Sequence, residues 1–110
     1  MLAFGLALAG TSAAGAAGIH FLHCGTMRGA YAARYSILAD RANCGTARGV
    51  FAAFFAGRGR RRTDPFTSHT DKVIDGWMCG SVPGGYSCTK LSPRGTIPLQ
   101  LGPNIEADVL

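Results

Sequence analysis

A small α+β domain is the fold class this 110-residue sequence predicts, with one amphipathic helix packed on a small antiparallel sheet and disulfides as staples. Three observations carry that expectation. One stretch, Asn43 to Ala56, has clean helical periodicity. Short apolar runs bounded by Gly, Pro and Ser follow it with strand character. Four cysteines are spread along the chain with no C-x-x-C pair among them. Hydrophobic residues make up 47% of the chain, yet much of that is alanine, which buries little surface. The large core candidates are Phe51, Phe54, Phe55, Trp77, Tyr86, Val73, Ile74, Ile97, Leu99 and Leu101. A chain this short has a marginal core from burial alone, so covalent staples add a needed share of stability.

The elements follow in chain order. MLAFGLALAGTSAAGAAG is an apolar run passing into small residues, and Ala14-Gly15-Ala16 has the form that signal peptidase accepts, so residues 1–18 are expected to be an export signal. The positive charge that normally opens such a signal is missing, since no Lys or Arg precedes Arg28. The run falls short of the roughly 20 apolar residues that span a bilayer, which argues against an integral membrane protein. Residues 19–101 are expected to form the single domain and residues 102–110 a flexible tail.

Ile19 to His23 is an apolar lead-in to Cys24. Met27 to Leu38 reads two ways. As a helix, Met27, Ala30, Tyr31 and Tyr35 form a stripe that Arg34 interrupts; as a strand, Tyr31, Ala33, Tyr35 and Ile37 alternate with Ala32, Arg34 and Ser36. Aromatic and β-branched content favours the strand. In the helix, Ala47, Val50, Phe51, Phe54 and Phe55 fall on one stripe; Asn43 is placed to cap the first turn and Gly57 to end the last. Gly57 to Thr70 reads as a loop. Val73 to Cys79 and Tyr86 to Leu91 read as paired strands with turn residues at Gly80 to Gly85; Trp77 and Cys79, two apart, share a face. After a second turn at Ser92 to Gly95, Thr96 to Leu101 is expected as a third strand, with Pro98 on an edge.

CGTMRGAYAA, from Cys24, returns twenty positions later as CGTARGVFAA, from Cys44. If the first copy runs into a strand and the second opens a helix, the two are not one repeated structural unit, and two copies are weak evidence for a solenoid. An exported chain meets an oxidising environment, so Cys24, Cys44, Cys79 and Cys88 are expected as two disulfides rather than a zinc site, whose ligands come in close pairs. The sequence leans to Cys24–Cys44 with Cys79–Cys88. A competing scheme ties Cys44 to a hairpin cysteine, and spacing does not choose between them.

From Tyr35 onward, YSILADRANCGTARGVFAAFF, then DGWMCGSVPGGYSCTK, then GTIPLQL, the chain resembles a group of small exported actinobacterial proteins of unknown function. Their pattern is a strand leading to a Cys-x-x-Ala-Arg helix, a Gly-Trp-x-Cys strand, a following Cys strand and a final β-branched strand. The matching positions here are Cys44, Ala47, Arg48, Gly76, Trp77, Cys79 and Cys88. The resemblance implies export, disulfides and a small α+β fold, and it implies no enzyme activity. Cys24 lies outside the matched stretch.

The chemistry-bearing residues are sparse. Cys44 near a helix N-terminus, with His69 or His23 as base, is the arrangement a thiol hydrolase would need, but an oxidised Cys44 cannot attack. His20, His23 and His69 are too scattered for a metal set, and no phosphate-cradling glycine loop occurs, so no metal or cofactor is expected. The formal charge is +5, and Arg58, Arg60, Arg61 and Arg62 concentrate it. Such a run attracts anionic partners, an acidic envelope polymer or another exported protein among them. No base-stacking aromatics interleave the arginines, which argues against nucleic acid. The expectation is therefore a non-catalytic secreted or cell-envelope binding module. The alternative is a secreted protease inhibitor or antagonist presenting the Gly80 to Gly85 loop.

Overall fold

The computed structural model describes residues 21–63, 70–95 and 97–110. The expected export signal, His20, His69 and Thr96 lie outside them. The described elements are β1 (Leu22–Arg28), β2 (Arg34–Asp40), α1 (Cys44–Phe55), β3 (Arg60–Thr63), β4 (Thr70–Ile74), β5 (Trp77–Val82), β6 (Gly85–Lys90) and β7 (Asn104–Val109). A three-residue 3-10 turn, Ala30–Ala32, links β1 to β2. The strands form one sheet in the order β1-β2-β7-β6-β5-β4-β3, with every neighbouring pair antiparallel. α1 packs on one face of it, against β1, β2, β4 and β7. This is the α+β architecture expected, on a sheet larger than expected.

α1 forms where its periodicity places it. The Asn43 side chain accepts a hydrogen bond from the Thr46 N–H at 2.7 Å, satisfying one of the free donors of the first turn. Gly57, at φ +81°, ends the helix. Of the two readings of Met27 to Leu38 the strand is correct, but a hairpin turn divides it. Tyr31 and Ala32 both take left-handed φ, 57° and 61°, which sends β2 back alongside β1. Gly29 is required at that turn because a Cβ there would stand 2.8 Å from the rings of Phe55 and Tyr35.

Five expectations need correction. Gly57 to Thr70 is not all loop: Arg60–Thr63 is a strand, pairing with β4. The run from Val73 to Cys79 is broken by a turn at Asp75 and Gly76, whose φ values of 50° and 81° reverse the chain between β4 and β5. The Gly80 to Gly85 loop shrinks to Pro83-Gly84, because pairing continues to Val82↔Gly85. Within Thr96 to Leu101 only a single bridge forms, Leu91↔Pro98, and Ile97 and Leu101 are 64% and 80% exposed. Most consequentially, the flexible tail expected over residues 102–110 contains β7, which lies between β2 and β6 with Ile105 and Ala107 fully buried.

Strand alternation puts Tyr35, Ile37 and Ala39 of β2, Ile105 and Ala107 of β7, Cys88 of β6, and Trp77 and Cys79 of β5 under the helix, where they meet Ala47, Val50 and Phe51 of α1. Register aligns them in rows across the sheet. One row runs Ala39, Ile105, Cys88, Cys79, Lys72, Arg61; the next runs Ile37, Ala107, Tyr86, Ser81. Both begin apolar and turn polar toward β4 and β3. Phe54, Phe55, Tyr35 and Tyr86 form an aromatic cluster at the C-terminal end of α1, with Tyr35 and Phe55 stacked at 5.0 Å.

Candidate functional site

The four cysteines form two disulfides, Cys24–Cys44 and Cys79–Cys88. The first ties β1 to the first turn of α1. The second joins residues directly opposite one another on β5 and β6, beneath the helix. The competing scheme, Cys44 to a hairpin cysteine, is not the one formed. With its sulfur bonded to Cys24, Cys44 has no thiol for the hydrolase arrangement, while His23 is exposed on β1.

The positions of the Cys-x-x-Ala-Arg and Gly-Trp-x-Cys elements have architectural work to do. Ala47 is small enough to seat α1 on the sheet and is fully buried. Arg48 donates through Nη1 to the Cys24 carbonyl at 2.9 Å and the Thr26 carbonyl at 3.1 Å. Gly76 makes the β4–β5 turn, and Trp77 and Cys79 both face the core. Lys90 lies opposite Trp77 with Nζ 5.3 Å from its ring centre.

The two CGTxRG copies are thus partners, not repeats. One is a bulged strand with Gly25 at φ +85°, the other opens a helix, and their cysteines are bonded to each other.

The place where chemistry remains open is the polar end of the helix-covered face. There a cavity of about 430 Å³ is lined by Phe54 of α1, Arg61 of β3, Thr70, Asp71 and Lys72 of β4, Ser81 of β5 and Tyr86 of β6. Lys72 Nζ donates to the Gly57 carbonyl at 3.0 Å, which fixes the ammonium beside the helix exit. The hydroxyls of Thr63 and Thr70 are hydrogen-bonded across β3 and β4 at 3.1 Å. The Tyr86 phenol is pushed above its ordinary range by burial first, then by the charge of and hydrogen bond to Tyr35, so it stays protonated at neutral pH. Two cations, one carboxylate, two aliphatic hydroxyls and two aromatic rings therefore line one concave site, whose net positive charge and hydroxyls equip it to hold an anionic, hydroxyl-bearing ligand.

The arginines expected as one basic loop are divided by the strand they form. Arg61 belongs to the groove side, in register with Lys72, whereas Arg60 and Arg62 alternate to the other face, opposite Val73 and Asp71. Arg58 is exposed between α1 and β3. Lys72 and Tyr86 were not among the expected binding residues. The Lys72 signal was present only as a lone cation next to an apolar strand, and cross-strand register alone brings it to Arg61.

Among the described residues, no group of three His, Cys, Asp or Glu side chains could hold a metal ion, and no helix is long and apolar enough to cross a membrane. Two disulfides fit a protein that folds in an oxidising, extracytoplasmic environment. Fold and site together define a disulfide-stapled α+β protein with a cationic groove. No protein-family model, curated protein or solved structure matches the chain.

Proposed function

We propose that this is an exported, non-catalytic binding module that engages an anionic partner, an acidic envelope polymer or an acidic face of another exported protein, through β3 and the groove beside it. One observation supports this above the others: Arg61 of the edge strand and Lys72 of its neighbour line an open cavity, with Arg58 exposed just before that strand and Arg60 on its opposite face, in a chain of formal charge +5. Exposed cations at a sheet edge raise the local concentration of polyanions by long-range attraction, and that attraction is screened within about 10 Å at 0.1 M salt. The resemblance of the helix and hairpin motifs to small exported actinobacterial proteins belongs to the same proposal.

Two measurements test it. Mass spectrometry of the native protein should find cleavage near residue 18 and both disulfides; recovery from the cytosol, folded and fully reduced, would sink export. Binding to a polyanion such as inorganic polyphosphate should weaken steeply between 50 and roughly 200 mM salt and drop about tenfold when Arg58, Arg60 and Arg61 are all changed to Ser. Salt-insensitive binding would rule out the charge-driven contact. The inhibitor alternative has less support, since only Pro83-Gly84 of its loop lies outside the strand pairing, too short a turn to lie extended in a protease cleft.

A further inference from the structure

We infer that the groove is a subsite for one sugar ring carrying an anionic substituent, a carboxylate or a phosphate; this rests on the anionic-partner proposal and names the ligand. Two unlike surfaces meet in the cavity. Phe54 and Tyr86, half-buried and in T-shaped contact at 5.0 Å, supply an apolar aromatic wall. Arg61 and Lys72, register partners on β3 and β4, supply the cations, with the Thr70 hydroxyl on β4 and the Ser81 hydroxyl on β5. An acidic pyranose has the same division: apolar C–H patches on its ring faces, hydroxyls around its rim, and one charged group. A linear polyphosphate has the charge but nothing for the aromatic wall.

The volume, about 430 Å³, is within the roughly 300–1,000 Å³ typical of small-ligand pockets. Lys72 is already held by the Gly57 carbonyl, so less side-chain entropy is lost when an anion arrives, and the remaining ammonium protons are free to donate to it. Arg61, with its planar fork of donors, suits either a carboxylate or a phosphate. Asp71 also lines the cavity, and it stands opposite Arg62 in the β3–β4 register, so a cation lies across the ladder from its carboxylate. A neutral sugar would cover Arg61 and Lys72 without giving them a counter-charge, so the site discriminates against it.

The test uses the disulfide-bonded protein and calorimetry with four probes: a galacturonic acid trimer, glucose 6-phosphate, a neutral galactose trimer and inorganic polyphosphate. At least one acidic sugar should bind, and which one does separates the carboxylate source from the phosphate source; the neutral trimer should not bind. Ser81→Trp fills the groove from an exposed position without altering charge. It should weaken acidic-sugar binding by at least about tenfold while polyphosphate binding persists. Thr70→Tyr, filling the groove from the adjacent strand, serves the same purpose should Ser81→Trp melt below the assay temperature. Binding of the neutral trimer as tight as that of the acidic sugars, no effect of either filling variant, or binding of polyphosphate alone overturns the sugar subsite and leaves the anionic-partner proposal standing. Failure of every anion to bind overturns both.

Discussion

Arg48 is the residue that fastens the edge of the sheet to the helix. The register of β1 against β2 shifts between His23 and Thr26, where Gly25 takes φ +85°, and two carbonyls on either side of that bulge receive the Arg48 guanidinium. A bulge breaks the ladder locally, so its carbonyls need another donor. Arg48→Ala should cost about 1–2 kcal/mol, read as a lower urea midpoint; because both bonds come from the single nitrogen Nη1, Arg48→Lys should restore part of the loss, to the extent that its shorter side chain reaches the two carbonyls. An unchanged midpoint would show that water serves the bulge equally well. On the sheet face away from α1, Glu106 lies between Leu38 and Ser87, two residues before Asp108 on the same strand. Burial, then the charge of and hydrogen bond to Asp108, raise its pKa from the ordinary 4.5. The folded protein thus holds this proton to higher pH than the unfolded chain does. Its stabilising effect is complete below the unfolded value and is lost as pH rises through the raised one. Glu106→Gln should therefore raise the melting temperature at pH 7 and make no difference near pH 4; equal melting at both values would mean that neither burial nor Asp108 penalises the charged Glu106.

At the scale of elements, the two disulfides differ in what shields them. Cys79 and Cys88 are fully buried between α1 and the sheet, whereas the Cys24–Cys44 bond is reachable at Cys44, half-buried at the helix start, although Cys24 on its edge strand is itself buried. Thiol–disulfide exchange needs access to a sulfur. Mild reductant followed by thiol alkylation of the native protein should label Cys24 and Cys44 first, with Cys79 and Cys88 labelled only on unfolding. The reverse order would contradict the burial. Each crosslink is worth about 3 kcal/mol by loop closure, and losing the first leaves β1 held to α1 by the Arg48 hydrogen bonds, with the central strands still paired. The groove depends on the other end of the same layers: it exists because α1 stops at Phe55, short of β3, so that the outer part of the helix-facing side stays open.

For the whole molecule, strand order is decisive. β7 comes last in the described chain yet lies between β2 and β6, so it joins the β1–β2 hairpin to the β6–β5–β4–β3 meander. Ending the chain at Gly102 should remove two ladders and the buried Ile105 and Ala107 together, and abolish cooperative unfolding by circular dichroism. A truncated protein that melts like the full chain would mean that the two halves are independently stable. The edges are guarded differently, β3 by its arginines and β1 by its bulge and crosslink, in keeping with the need to keep unpaired strand edges from joining other chains.

What was legible in the sequence was local. Helix α1 was legible because its apolar stripe, Asn43 cap and Gly57 stop all act within a few residues of one another, and the β5–β6 pairing because a Pro-Gly turn separates two runs of strand character. β7 carried a signal too, the alternation of Ile105, Ala107 and Val109 with Asn104, Glu106 and Asp108, but its acidic residues are poor strand formers in isolation. Ile97, Leu99 and Leu101 are more apolar, yet two of the three are mostly exposed, because Pro98 and a lack of strand partners leave them outside the sheet.

By itself, then, the sequence determined an amphipathic helix, a hairpin and the need for cysteine crosslinks, since each follows from propensity, periodicity or composition. Tertiary structure alone decided that the last strand enters the centre of the sheet, that Cys24 meets Cys44, and that Arg61 and Lys72 share one groove with Phe54 and Tyr86. Those outcomes depend on contacts between residues far apart along the chain, whose free energy comes from burying a shared face and closing the loops between them.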